Sequence, residues 1–205
     1  MTDSIMMEIG TMVAAMNQRR IVAVIPARGG SQRLTRKNIY PIWGHPMLTW
    51  AIKACRESKM VDDIWVSTED ELIKNIALLY EAKVHDRDPR LSDHHVFKME
   101  AIRAAVEHIN QQDSPDIIIS LQANSPQITA EILDDALSVF IENDRNELMS
   151  VGKDMMQNAA FRIMKNSYVF QKDLSVKSGA YVCDIHDIHT LEDVEYVENL
   201  QKREY

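Results

Sequence analysis

No apolar run in this 205-residue chain approaches the ~18–20 residues needed to cross a bilayer, so no membrane span is expected. The first twenty residues carry Asp3 and Glu8 and no long apolar stretch, so a secretory signal is not expected either. Cysteine is scarce. Cys55 and Cys183 lie far apart, which suits a reducing cytoplasm better than a disulfide scaffold. Internal repeats and low-complexity segments are also missing. The most informative absence is of negative charge: no acidic residue occurs between Glu8 and Glu57. That interval holds Arg19, Arg20, Arg28, Arg33, Arg36, Lys37, Lys53 and Arg56, while the rest of the chain carries 15 positive against 31 negative charges. A chain of net charge −8 lacks the broad positive surface that a nucleic-acid polymer requires. One local basic segment suits the grip of a small polyanion instead.

What is present fits one α/β domain. With 45% hydrophobic and 26% charged residues the chain can bury a core, and its length allows one ordinary domain. Residues 1–19, rich in methionine and without turn punctuation, read as an extension, leaving 20–205 as the domain. The continuous run Ile21-Val22-Ala23-Val24-Ile25 predicts a strand buried on both faces. Strand and helix signals then alternate. Met47 to Cys55 reads as a helix with Pro46 in its first turn, Ile64–Val66 as a strand, and Glu69–Tyr80 as a helix. Val84 marks a brief strand, Met99–Ile109 a helix, Asp116–Leu121 a buried strand, Ile128–Asn143 a helix and Leu148–Val151 a strand. Phe161–Ile163 and Ala180–Val182 are β-like pieces. Leu191–Glu204 is a helix opened by a Thr190/Asp193 capping box. Repeated βα units with apolar strands predict a mostly parallel sheet covered by helices.

Ligands of such sheets bind at the carboxyl ends of the strands. There the first strand runs into Pro26-Ala27-Arg28-Gly29-Gly30-Ser31-Gln32-Arg33-Leu34-Thr35-Arg36-Lys37-Asn38. Adjacent glycines permit φ > 0 and let backbone N–H groups approach an oxyanion. Four cationic side chains within ten residues add charge and bidentate donors. A triphosphate or pyrophosphate fits these features; the alternative is a solvated basic turn. The loop has neither the Gly-Lys-Ser/Thr of a P-loop nor the three spaced glycines of a dinucleotide fingerprint.

The segment Ile25 to Ile39 closely resembles the signature of the acylneuraminate cytidylyltransferases, the CMP–sialic acid synthetase family. Gly44-His45-Pro46-Met47-Leu48, Val66-Ser67-Thr68-Glu69-Asp70, the stretch from Arg87 to Asp93, and Leu121-Gln122-Ala123-Asn124-Ser125-Pro126 resemble later family segments, in the family's order. The resemblance implies a Rossmann-like, three-layer nucleotide-diphospho-sugar transferase fold. It also implies a reaction in which a 2-keto-3-deoxy sugar acid attacks the α-phosphorus of CTP to give a CMP-sugar and pyrophosphate, usually with Mg²⁺. Carried over position by position, Arg28 and Lys37 would be the catalytic cations on the CTP phosphates. Ala27, Gly29, Gly30 and Ser31 would form the cradle, with Gln32, Arg33 and Asn38 beside it and Arg87 and Gln122 defining the nucleotide pocket.

Three departures from the family pattern stand out. Gln32 replaces a lysine, and Thr35 a proline, in the loop. The family's late Asp-x-Asp becomes Asp187-Ile188-His189; on a strand those two side chains share a face, and Asp with His shifts metal preference from Mg²⁺ toward Mn²⁺ or Zn²⁺, the alternative being that Asp187 alone reaches Mg²⁺ through waters and His189 serves another purpose. Finally, only about 35 residues separate Val151 from Asp187 where the family inserts an arm that reaches a second subunit. Met155-Met156 and Phe161–Met164 would be its remnant, the methionines packing in the core, and a homodimer of the family's type is in doubt. The alternatives are a 3-deoxy-octulosonate cytidylyltransferase, or a degenerate member that binds nucleotide without turnover. His-x-x-His at 186–189, with Cys183, suggests zinc only weakly, and His94-His95 reads as a solvated turn.

Overall fold

The computed structural model describes residues 19–173, 175–200 and 202; the expected extension at 1–18 and the end of the last helix lie outside them. Nine strands and six α-helices are described: β1 Ile21–Pro26, β2 Pro41–Ile42, β3 His45–Pro46, α1 Met47–Glu57, β4 Asp63–Thr68, α2 Glu71–Leu79, β5 Lys83–Asp86, α3 Lys98–Asn110, β6 Ile117–Leu121, α4 Ala130–Glu142, β7 Glu147–Val151, β8 Gln157–Lys165, α5 Asn166–Val169, β9 Ser178–Val182 and α6 Leu191–Leu200. Seven strands form one sheet in the order β5-β4-β1-β6-β8-β7-β9. β1 pairs in parallel with β4 and β6, β4 with β5, and β7 with β9; only β8 runs antiparallel to its neighbours.

β1 is apolar throughout because both its faces are covered. Ile21, Ala23 and Ile25 join the cluster that α1, α2 and α4 build on one face, and Val22 and Val24 join that of α3 and α5 on the other. The period-2 alternation of a strand thus distributes one hydrophobic run between two cores. From β1 the chain builds outward through β4 to β5, then returns to lay β6 on β1's other side. The reversal opens a crevice between the carboxyl ends of β1 and β6.

Local chemistry shifts several expected boundaries. α2 begins at Glu71, because the Asp70 carboxylate accepts from the Leu72 and Ile73 amides at 2.9 and 3.0 Å and caps the helix. Glu69 is thereby released to the neighbouring loop. Pro46 lies in β3 and caps α1 rather than entering its first turn. The β2–β3 hairpin, which periodicity could not show, turns on Trp43 (φ 48°) and Gly44 (φ 80°), the type I′ pattern. At α6 the capping box is present: Asp193 N–H donates to Thr190 Oγ1 (3.3 Å) and Thr190 N–H to Asp193 Oδ2 (2.9 Å).

The expected arm remnant is corrected. Phe161–Met164 belong to β8, wedged between β6 and β7, so they complete the main sheet. Met164 is buried there, but Met155 and Met156 are 60% and 69% exposed on the β7–β8 turn and pack in no core.

A third cluster positions the site. Leu34, Ile42, Met47, Trp50, Ile188, Val194 and Val197 bring together the loop after β1, the hairpin, the segment before α6 and α6 itself. Trp43 packs edge-on to Trp50 at 5.3 Å, and its backbone N–H donates to Glu198 Oε1 at 2.9 Å, tying hairpin to helix.

Candidate active site

The loop after β1 is clamped at both ends. Ala27 continues the strand, donating to Ser67 O at 3.0 Å, and its side chain is buried in the core, so this expected cradle residue does not line the cavity. Asn38 at the far end is also buried and donates from Nδ2 to Arg28 O at 2.9 Å. Between them Leu34 plugs into the third cluster, and Arg36 at φ 54° turns the chain so that Lys37 faces inward. The open cavity beside it, of about 450 Å³, is lined on this side by Arg28, Ser31, Gln32, Arg33, Lys37 and Asn38.

The two glycines do not serve as expected. Neither adopts positive φ. Gly29 N–H already donates to Glu69 Oε1 at 2.9 Å, and Ser31 N–H to Gly29 O at 3.1 Å, so two of the expected phosphate-cradling amides are engaged within the protein. Side-chain cations, more than backbone amides, are the donors this loop leaves open to the cavity. Gly29 is required for close approach: a Cβ there would lie 2.5 Å from Asp70 Oδ2 and 2.9 Å from Asp70 Cβ, whereas at Gly30 it would meet nothing within 4 Å. Gly29→Ala is therefore expected to cost about 1–3 kcal/mol, by the usual cost of overpacking, and to lower Tm by several degrees. Gly30→Ala should leave Tm unchanged; thermal melts of the two variants side by side check the contrast.

Opposite this loop stands the segment 183–190. Ile188, fully buried, is held by Asn124 from both sides: its N–H donates to Asn124 O and its carbonyl accepts from Asn124 Nδ2, each at 3.0 Å. Asp187 and His189 flank that anchor. The segment is not a strand, and the two side chains have different partners. Asp187 accepts from Ser125 Oγ. Burial pushes its carboxyl above the usual range, against the hydrogen bond from Ser125 and the charges of Lys98 and Lys37. His189 is drawn onto the basic loop instead: its Nδ1 lies 3.1 Å from Arg33 Nη2 and 3.4 Å from Lys37 Nζ. Both partners are donors, so in this arrangement Nδ1 accepts and the proton sits on Nε2. Burial, then Lys37 and Arg33, hold the imidazole below its ordinary pKa and keep it neutral. Burial likewise pulls the Lys37 ammonium down, while Asp187 supports it.

Arg87 is 4% exposed and works mainly as scaffold. Its Nε donates to Ser67 Oγ (3.2 Å), Nη1 to Ser92 Oγ (3.2 Å) and Nη2 to Ser67 O, with Glu69 at 3.8 Å. One edge of Arg87 still lines the cavity, as does Gln122 at the carboxyl end of β6. Sequence reasoning missed Lys98, Asp93 and His94, which line the far wall, and the roles of Asn124 and Ser125. The strand-end position of Asn124 and Ser125 was a usable signal; nothing in the sequence marked Lys98. The weak zinc pattern dissolves. His186 Nε2 pairs with Asp193 Oδ1 at 2.8 Å, and burial pushes the Cys183 thiol up to about 11, so it remains protonated. His94 and His95 are exposed on the rim, as a solvated turn. Among the described residues no helix is long and apolar enough to cross a membrane.

The comparisons agree with this geometry. A cytidylyltransferase family model matches residues 22–201. N-acylneuraminate cytidylyltransferase A of Danio rerio is 35% identical over 133 residues, 65% of this chain and 30% of that protein. A pseudaminic acid cytidylyltransferase of Campylobacter jejuni is 34% identical over 155 residues, 74% of this chain and 67% of that protein. The chain thus spans under a third of the first relative's length and about two thirds of the second's. Among solved structures, a CMP:2-keto-3-deoxy-manno-octonic acid synthetase complexed with CTP superposes with a TM-score of 0.71 at 17% identity, covering 88% of this chain and 98% of that one. A Leptospira borgpetersenii cytidylyltransferase gives 0.66 at 20% identity, covering 88% and 86%. These two likenesses establish the fold: a mixed α/β architecture around a mostly parallel sheet. With the family model spanning nearly all of the described structure, the chain belongs to the cytidylyltransferase family.

Proposed function

We propose that the chain transfers CMP from CTP to the C2 hydroxyl of a 2-keto-3-deoxy sugar acid of the sialic-acid class, releasing pyrophosphate. The observation that carries this is the meeting of Arg28, Arg33 and Lys37 on one cavity, with the half-buried carboxylate of Asp187 near enough to support the Lys37 ammonium. A tetra-anionic triphosphate needs concentrated positive charge, and in-line displacement at phosphorus needs little from the protein beyond positioning and charge neutralisation. Arg28 and Lys37 hold the phosphates and take up charge developing on the leaving pyrophosphate. His189, a neutral acceptor, orients Arg33 and Lys37, so the loop enters the reaction already arranged. Gln122 and the Arg87 scaffold form the wall that receives the nucleoside.

The donor set fits Mg²⁺ in one way. Asp187 keeps one oxygen beyond its Ser125 bond, and Mg²⁺ characteristically takes one or two carboxylates and completes its shell with phosphate oxygens and water. Asp187 would hold it, without His189. Bound there, Mg²⁺ supplies charge neutralisation of the phosphates. Two free buried cysteines support a reducing cytoplasm as the setting.

The nine-carbon class is favoured by higher identity: the N-acylneuraminate and pseudaminic acid relatives stand at 32–35% and the 3-deoxy-manno-octulosonate relatives at 28–30%. Pyrophosphate release from CTP is the test, with N-acetylneuraminate, pseudaminate and 3-deoxy-manno-octulosonate, in Mg²⁺ and in Mn²⁺. Turnover is expected with a nine-carbon acid. Release only with the octulosonate would reassign the sugar, and CTP binding without release from any acid would leave a non-catalytic member.

A further inference from the structure

We propose that Lys98 is the cation that receives the carboxylate of the sugar acid, making it a substrate-binding residue on the wall facing the triphosphate loop. The inference rests on the reaction proposed above. In the cyclic form of a 2-keto-3-deoxy sugar acid, C2 bears both the carboxylate and the hydroxyl that attacks phosphorus. The carboxylate is therefore delivered wherever the hydroxyl is, beside the α-phosphate and the carboxylate that serves it. In a cavity partly shut off from water, an anion there requires a counter-charge.

Five cations line the cavity, and four are committed elsewhere. Arg28, Arg33 and Lys37 belong to the phosphate loop, Arg33 and Lys37 resting on His189. Arg87 is locked by Ser67 and Ser92. Arg162, whose charge also reaches Lys98, is bound to Glu147, Nε to Oε2 at 3.0 Å. Lys98 differs in origin and in state. It opens the 13-residue helix α3, whose positive dipole end adds to the potential felt by an anion there, and so approaches from the opposite wall. Among the described residues its side chain makes no hydrogen bond or ion pair, and its charge acts on Asp187, the carboxylate beside which the reaction is placed. Its side chain is open to the cavity, yet the surrounding walls lower its pKa and only Asp187 resists them; a second carboxylate would complete that compensation. A flexible stem bearing a compact charge suits an anion that must be met at one end of a bulky sugar.

The test uses the full chain, CTP, and whichever of the three acids above supports most turnover, together with the C1 methyl ester of that acid. Lys98→Met should raise KM for the acid about 10–100-fold, the usual worth of a charge-assisted hydrogen bond. It should leave CTP affinity by calorimetry within about twofold and abolish the preference for acid over ester. Lys98→Arg should recover part of the loss. A fall in CTP affinity with the KM for the acid unchanged would assign Lys98 to the triphosphate and overturn the proposal, as would wild-type kinetics in Lys98→Met. Absence of pyrophosphate release from the wild type with every acid would overturn the reaction itself.

Discussion

Lys37→Met is expected to reduce turnover at least ~10²–10³-fold, the range seen when one preorganised donor to developing charge is removed. Lys37 sits where the left-handed Arg36 turn, the His189 acceptor and the Asp187 charge converge, so Arg33 cannot replace it from the more exposed part of the loop. Methionine keeps most of the stem and its packing. Because burial lowers the Lys37 pKa, the folded state holds that proton less tightly than the unfolded state, and the ammonium costs stability at neutral pH. Removing it should leave Tm within the ~2–4 °C that 1 kcal/mol moves a domain of this size. Pyrophosphate release beside a thermal melt checks both halves. Wild-type turnover would mean that the phosphates bind elsewhere.

Asp187→Asn should cost at least ~10²-fold in turnover, by the loss of the charge that would hold the metal, while preserving an acceptor for Ser125. The stability effect has the opposite sign. Burial raises the Asp187 pKa, so the folded state binds this proton more tightly than the unfolded state does. The ionised group then costs stability at neutral pH, and that cost fades as pH falls through the raised pKa. The variant should melt at an equal or higher temperature at pH 7, and its advantage should shrink on acidification. Turnover in the wild type should fall over the same acid range. A variant both fully active and less stable would exclude a charged role for this side chain.

How much of this was legible in the sequence depends on the range of the interaction. The run Ile21–Ile25 declared a doubly covered strand because its residues alternate between two apolar clusters. The Thr190/Asp193 box declared a helix start because its hydrogen bonds span three residues. Glycine spacing was less reliable: Gly29 is needed for its approach to Asp70, some forty residues away, and not for its φ angle. Alternation could not place Asp187 and His189, because their segment is not a strand and His189 answers to Arg33 and Lys37, more than 150 positions earlier.

The acid-free interval shows the division most clearly. By itself the sequence determined that eight cations with no local acid surround one glycine-bearing loop, and local neutralisation within that interval was impossible. Tertiary structure decided which cations remain for a ligand. Arg20 is drawn to Asp63 and Asp113, Lys53 to Glu57 and Arg56 to Glu81, whereas Arg28, Arg33 and Lys37 line the cavity. Lys98 joins them from outside the interval altogether. Chain order sets where charge begins; which charges are neutralised depends on the acids that folding brings within a few ångströms, because solvent and salt screen the rest.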